Sequence, residues 1–365
     1  LHKVFSDDAN LTAQQKAEQY KNTTFAVLYK GNNQYVKATG SNGAYTFSGY
    51  QTTATEFALN ASGNFSISNL PSGSYRVVEI KWDSYNYNPK TTYVDITVEN
   101  GKNTPVNFEN IRTGYVLVKK NWTIPVGFDR STKRITDLTK NTYFLIRDKS
   151  TNQYLTATTD NQSRYTYTGV TTKANATKFN AYVYIENNDI SSISFSVNKL
   201  PLGNYVVEEI TTGDANKYFI PDKTSIDITL TNAVPTNDSS FTNTEKGCAT
   251  INKVWSDAGT GYATDAERNA VTFYIRNKAT NVYIKASGSA GDYTFTGLGT
   301  TAVSSGTGFK LSSSNTFLVK DLDAGTYIVS EVLAGSSKFA PRDEQEVTVA
   351  NGEDNGVTFQ NVVKA

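Results

Sequence analysis

Apolar and polar positions alternate with period two along most of the chain, in runs short enough to be strands. The runs recur. Phe65 to Ile80 (FSISNLPSGSYRVVEI), Phe195 to Ile210 (FSVNKLPLGNYVVEEI) and Phe317 to Val332 (FLVKDLDAGTYIVSEV) align as one unit in three copies. Each reads as a strand, a Leu, a short turn with Gly, and a second strand of the form Tyr-x-Val-x-Glu, which predicts a β-hairpin. Upstream of each lie Tyr45-Thr-Phe-Ser-Gly49, Tyr165-Thr-Tyr-Thr-Gly169 and Tyr293-Thr-Phe-Thr-Gly297, and each copy ends on Phe-x-Asn at Phe108–Asn110, Phe241–Asn243 and Phe359–Asn361. Many short strands with regular turn signals predict an all-β chain of three tandem Ig-like Greek-key β-sandwiches. The boundaries fall at 1–112, 113–246 and 247–365. No Gly/Ser-rich or Pro-rich linker separates the copies, so end-to-end domains in an elongated rod are expected. Helix is minor: Asn10 to Tyr20 reads as a short helix capped by Asn10, and Thr264-Asp-Ala-Glu267 is a capping-box pattern.

Strand parity turns up three polar residues on the wrong face. Residues two apart share a face of a strand. Leu1, Lys3 and Phe5 lie together, as do Val116, Val118, Lys120 and Trp122, and Ala249, Ile251, Lys253 and Trp255. Glu79, Glu209 and Glu331 share their faces with Tyr75 and Val77, Tyr205 and Val207, and Tyr327 and Val329. Asn110, Asn243 and Asn361 share theirs with Phe108, Phe241 and Phe359. Each copy therefore directs one amine, one carboxyl and one carboxamide at an apolar interior. Lys119 and Glu208 are adjacent on the opposite parity and are rejected for that reason.

Burying any of these groups alone costs several kcal/mol, on the order of the usual desolvation penalty. Buried together they satisfy one another, and they are also reactive. Desolvation lowers the pKa of Lys towards a neutral nucleophile and raises that of Glu towards a proton donor. A protonated Glu polarises the Asn carbonyl, the amine attacks, and the carboxyl passes a proton to departing ammonia. The product is a secondary amide between distant parts of one domain.

The x-Lys-x-Trp opening strand, the Tyr-x-Val-x-Glu segment and the terminal Phe-x-Asn resemble the collagen-adhesin B-type (Cna B-type) domains of Gram-positive pilins and wall-anchored adhesins. Glu precedes Asn by 31, 34 and 30 residues in the three copies. The resemblance implies Lys3–Asn110, Lys120–Asn243 and Lys253–Asn361 as isopeptide pairs, with Glu79, Glu209 and Glu331 as catalytic carboxyls. It also implies a structural stalk or shaft, outside the cell, attached to peptidoglycan through a sortase-anchored parent protein. The first copy departs in having Phe5 in place of Trp and a clipped opening strand. The Val-Tyr-Pro-Lys motif of polymerising shafts is absent, and its nearest relative, Tyr87-Asn-Pro-Lys90, reads as a loop.

Composition narrows the alternatives. With 35 basic and 34 acidic residues, nothing drives the chain to nucleic acid or anionic membrane. A single His2 and a single Cys248 exclude an intrachain disulfide, a Ser-His-Asp triad and a His/Cys zinc site. No cofactor or metal is expected, Cys248 reads as a packed small apolar residue, and the chain reads as an excerpt from a longer exported protein. The alternative function is a ligand-binding adhesin region that recognises host matrix protein or glycan, for which the 23 Tyr or the longer 171–192 insertion of the second copy would serve. Because Tyr45, Tyr165 and Tyr293 recur in every copy, they read as structural.

Overall fold

The computed structural model of the chain describes residues 1–256 and 263–364. Among the described residues each repeat has its own large apolar core, between Phe5 and Phe108, between Val116 and Phe241, and between Ala249 and Phe359, and a smaller cluster of Ile124, Leu138, Ala215 and Phe219 adds to the second. The third unit shows the plan most simply. One sheet runs Ile284–Ser289, Asp292–Leu298, Thr316–Leu322, Gly247–Ser256, Asp354–Val362; the facing sheet runs Thr272–Asn277, Gly325–Val332, Gln345–Val349. The second unit has the same strand neighbours, but a pairing of Arg147 with Tyr154 joins its two sheets into one curled sheet.

In each unit the opening strand lies parallel to the last strand of the same unit, and the register repeats. Lys3 is level with Phe108 and Phe5 with Asn110; Lys120 with Phe241 and Trp122 with Asn243; Lys253 with Phe359 and Trp255 with Asn361. Units follow one another with almost no slack. Thr113 alone separates the last strand Asn107–Arg112 from the opening strand Gly114–Thr123, and Lys246 alone separates Thr236–Glu245 from Gly247–Ser256. Gly247 lets the opening strand of the third unit pass close to its own Val349–Ala350 turn, since a Cβ there would stand 2.1 Å from the carbonyl oxygen of Ala350.

The expected hairpins are not hairpins. Ser66–Ser68 pairs with Ala44–Gln51, whereas Gly73–Lys81 pairs with Thr24–Tyr29 and Tyr93–Val98. In the second copy the two strands of the repeat take separate places in the one curled sheet, and in the third they fall in opposite sheets. The connection is an arch across the core. Asn69, Lys199 and Asp321 take left-handed φ values of 58°, 58° and 62°, which swing the chain out of the first sheet. The Tyr that opens the second strand then pins the arch: the hydroxyls of Tyr75, Tyr205 and Tyr327 donate to the carbonyls of Pro71, Pro201 and Asp323. An arch and a hairpin share the same alternation, so the pattern alone does not separate them.

Helices are short. The first spans Ala13–Lys21, and its cap is Thr12 rather than Asn10, with Gln15 closing a capping box; Asn10 ends a preceding 3₁₀ turn. The Thr264 capping box starts a helix over Asp265–Ala270. A helix over Thr132–Lys140, capped by Ser131, occupies the matching place in the second copy. Tyr87–Pro89 is a short strand against the last strand of the first unit, not a loop, and Lys90 is exposed and ion-paired with Glu109 at 2.7 Å. Cys248 is fully buried. No helix among the described residues is long and apolar enough to cross a membrane.

Candidate functional site

Two strands of one sheet and one of the other build each site. The opening strand supplies Lys, its parallel neighbour supplies Asn two residues further on, and the strand after the arch carries Glu on the facing sheet. Period-two geometry then aims all three side chains into the core. Lys3, Lys120 and Lys253 are buried, as are Glu79, Glu209 and Glu331, and Asn110, Asn243 and Asn361 are each 0 % exposed. The rejected neighbours behave as parity requires. Lys119 reaches outward towards Asp238, and Glu208 binds Arg147 and Lys173 outside the core.

The three sites share their distances. Lys3 Nζ lies 3.0 Å from Glu79 Oε1, Lys120 Nζ 3.2 Å from Glu209 Oε1, and Lys253 Nζ 3.2 Å from Glu331 Oε1. None of these contacts has hydrogen-bonding direction: Lys3 Nζ, Glu209 Oε1 and Glu331 Oε1 are all buried without a hydrogen-bond partner. Asn110 Nδ2 donates to Glu79 Oε1 at 2.9 Å, and Asn361 Nδ2 donates to Glu331 Oε2 at 2.6 Å. The carboxamide oxygens of Asn110, Asn243 and Asn361 are buried and unpartnered in all three copies, and Asn243 Nδ2 is unpartnered as well. Native interiors seldom leave such groups unsatisfied. The same orphaned acyl oxygen recurs in all three copies.

Burial dominates the electrostatics. It pushes the Lys3 amine below its ordinary value, against the opposing pull of Glu79. It brings Lys120 and Lys253 down to about 8, against Glu209 and Glu331 respectively. Burial also raises the Glu79 and Glu209 carboxyls, with the adjacent lysines pulling the other way. Within each of these two pairs, desolvation drives the shared proton from amine to carboxyl. An aromatic ring closes each amine off: Trp122 and Trp255 have their ring centres 4.2 Å from Lys120 and Lys253 Nζ, while Phe5 stands 5.5 Å from Lys3 Nζ. A second aromatic layer backs the site, with Phe25 on Phe108, Phe144 on Phe241 and Phe273 on Phe359 at 5.0, 5.2 and 5.4 Å.

The recurrent tyrosines are structural. Tyr45, Tyr165 and Tyr293 are buried, and their hydroxyls accept the backbone N–H of Ala58, Asn180 and Lys310, each at 2.9 Å. The 171–192 insertion folds into a hairpin of Tyr182–Glu186 against the start of Asp189–Leu200, turning at Asn187 and Asn188 with positive φ. A second buried polar cluster, at the junction of the second and third units, was missed from sequence. Glu245 pairs with Arg134, and the buried Asp321 of the next unit is held up to about 6 by burial and then by Glu245. Asp321 stands in the repeated segment where the other copies have Asn69 and Lys199, and Glu245 lies outside it, so no recurring acidic position singles them out.

Residues 10–112 match the family model of the SpaA prealbumin-like fold domain. This agrees with the B-type resemblance for the first unit, and the other two units repeat its strand neighbours. No curated protein matches the chain. Among solved structures, the Bacillus anthracis TIE protein is similar at 16% identity and a TM-score of 0.35, over 99% of this chain and 50% of that one. This chain thus spans half the length of that protein. BcpA, the major pilin subunit of Bacillus cereus, is similar at 12% identity and a TM-score of 0.36, over 100% of this chain and 98% of that one. The shaft pilin SpaA of Lactobacillus rhamnosus GG is similar at 14% identity and a TM-score of 0.30, over 69% and 98%.

Proposed function

We propose that a chain whose residues 10–112 match the SpaA prealbumin-like fold domain is a load-bearing segment of a Gram-positive surface protein, and that each of its three domains closes itself with a Lys–Asn isopeptide bond. The observation that carries the reading is the threefold recurrence of a buried Lys–Glu contact beside an Asn whose acyl oxygen has no partner. The domains are taken as 1–112, 113–246 and 247–365. The setting is extracellular, on a parent protein attached to cell-wall peptidoglycan by sortase.

In the reaction Lys gives a proton to Glu, which leaves a neutral amine beside a neutral carboxyl. Turning the Asn carboxamide about Cβ–Cγ sets its oxygen against the protonated Glu, which donates to it and polarises Cγ. Lys Nζ attacks Cγ, the Cγ–Nδ2 bond breaks, and Nδ2 leaves as ammonia carrying the proton lost by Nζ, with Glu as the relay. The low-dielectric pocket favours this neutral path over one through separated ions.

The mechanical consequence follows from topology. The opening and last strands are parallel neighbours, so tension between the two ends of a domain shears the ladder between them. The bond joins those two strands and takes the load in place of the hydrogen bonds. Closing a loop of about 100 residues also removes roughly 4–5 kcal/mol of unfolded-state entropy by the cross-link model.

Intact-protein mass spectrometry tests this. The folded chain should be lighter than its sequence by three ammonia molecules, and Glu79→Ala, Glu209→Ala and Glu331→Ala should each restore one. An unreduced mass in folded protein would overturn the bond-forming account.

A further inference from the structure

The second unit carries an outer sheet surface that its sisters lack. The hairpin strand Tyr182–Glu186 extends its sheet beside Asp189–Leu200, and the registers set side chains in rows. Tyr182, Ser194 and Lys119 lie level in one row, and Arg164, Ser196 and Leu117 in the next. Ile193, Phe195 and Val197, at the alternate positions, are buried in the core, so both rows face outward. Counted from the aligned Phe65, Phe195 and Phe317, the counterparts of Ser194 and Ser196 are Asn64 and Ser66 in the first copy and Thr316 and Leu318 in the third. Among the described residues no strand takes the place of Tyr182–Glu186 in either.

The rows form a trough. Ser194 and Ser196 are only 9 % and 8 % exposed although they are small and face outward, because taller side chains rise from flanking strands about 10 Å apart. Neither hydroxyl has a hydrogen-bond partner among the described residues. Asn198 continues the floor on the same face, and its Oδ1 is buried and unpartnered as well. Polar groups enclosed to this degree normally have partners. One wall is a fixed aromatic plate. Tyr182 stays 38 % exposed, with its ring edge-on to Tyr184 at 4.8 Å, and the Tyr184 hydroxyl donates to Gln162 O at 3.0 Å. Lys119 and Arg164 stand at the rims, and each already faces an acid: Asp238 at 3.7 Å and Asp160 at 2.6 Å.

We infer that this trough is a carbohydrate-binding site, and that its ligand is a neutral hexopyranose glycan lying along Asp189–Leu200. The C–H face of a pyranose packs on the Tyr182 ring, an apolar body with a polar tip. Sugar hydroxyls both donate and accept, as do the Ser194 and Ser196 hydroxyls that lack partners. The rim charges are paired, so an acidic sugar would have to compete with Asp238 and Asp160 for the same cations. A tyrosine plate with few rotamers loses little entropy when a ligand settles on it. The site is separate from the cross-link chemistry, since the opening strand turns Lys120 inward to Glu209 and Lys119 outward to the trough. One strand thus serves the bond on one face and the ligand on the other.

Titration calorimetry of the full chain with cellohexaose, maltohexaose and mannohexaose tests the site. At least one should bind saturably. Tyr182→Ala should weaken that binding by about tenfold or more. Ser196→Val, which raises the floor without removing a hydrogen bond, should do the same. Tyr182→Phe keeps the plate and should bind as the unaltered chain does, as should Tyr93→Ala, which removes an exposed tyrosine of the first unit. Far-UV circular dichroism checks that each variant is folded. The inference is overturned if none of the three sugars binds, or if Tyr182→Ala and Ser196→Val both bind like the unaltered chain. Tighter binding of a hyaluronan hexasaccharide would overturn the neutral ligand, and tighter binding of a hexaproline peptide would overturn the carbohydrate.

Discussion

Trp255 stands level with Asn361 on the neighbouring parallel strand, and its ring centre lies 4.2 Å from Lys253 Nζ. The ring lies over the amine, and in the proposed reaction it shields that amine from water. Trp122 does the same for Lys120. Trp122→Ala or Trp255→Ala should let water reach the amine, return its pKa towards 10.5, and slow ammonia loss in that domain by about tenfold. Intact mass followed over time in freshly translated protein checks this. The other two bonds should form at their usual rate.

The pH dependence of bond formation should be a plateau. The ionised pair Lys⁺/Glu⁻ and the reactive neutral pair hold the same number of protons, so the reactive fraction is constant while the pair holds one proton. In the second domain the pair loses that proton above about 8, the Lys120 value, and gains another below the raised Glu209 value. The rate of ammonia loss should fall on both sides of the plateau. A rate that climbs steadily beyond pH 9 would show that Glu209 is not needed as an acid.

The junction between the second and third units should tighten in mild acid. Asp321 has a folded pKa of about 6 against 3.8 unfolded. The folded state therefore binds more protons between those values, and stability falls as pH rises from about 4 to about 6. Glu245 is raised as well, with Arg134 and the lysines 246 and 320 as the opposing charges. Asp321→Asn should flatten the dependence and raise the thermal stability of the third unit at pH 7, by an amount on the order of 2 kcal/mol. Calorimetry at pH 5 and pH 7 measures both.

Tyr205→Phe removes the hydroxyl that ties the arch to Pro201 O at 2.6 Å. The loss should cost about 1 kcal/mol in urea unfolding of a Glu209→Ala chain, where the second domain is not cross-linked. The cross-link itself should still form in the otherwise unaltered chain, because the hydroxyl touches none of Lys120, Glu209 or Asn243.

The sequence made the site legible and the topology only partly so. Parity needs a strand and its period, and nine residues in three copies repeat it, which is why Lys120 could be told from Lys119 and Glu209 from Glu208. Pairing is a different matter. Nothing in FSVNKLPLGNYVVEEI says that Lys199 takes a left-handed φ, so an arch reads as a hairpin. Asn10 and Thr12 both have the chemistry of a helix cap, and the choice between them depends on backbone angles. Arg134 and Glu245 lie 111 residues apart within the second unit, a long-range pairing set by the fold of that unit, and Asp321 joins them only because the third unit docks there.

The single residues Thr113 and Lys246 between strands bear on how such a chain can vary. With each cross-link in place, a pulled chain has a short spine: opening strand, amide bridge, end of the last strand, one residue, next opening strand. The hundred or so residues between Lys and Asn in each domain hang beside that spine and carry no tension. They can lengthen, as the hairpin at 182–192 does, without altering the reach or the strength of the whole. Insertions within the spine itself would add slack at the joints.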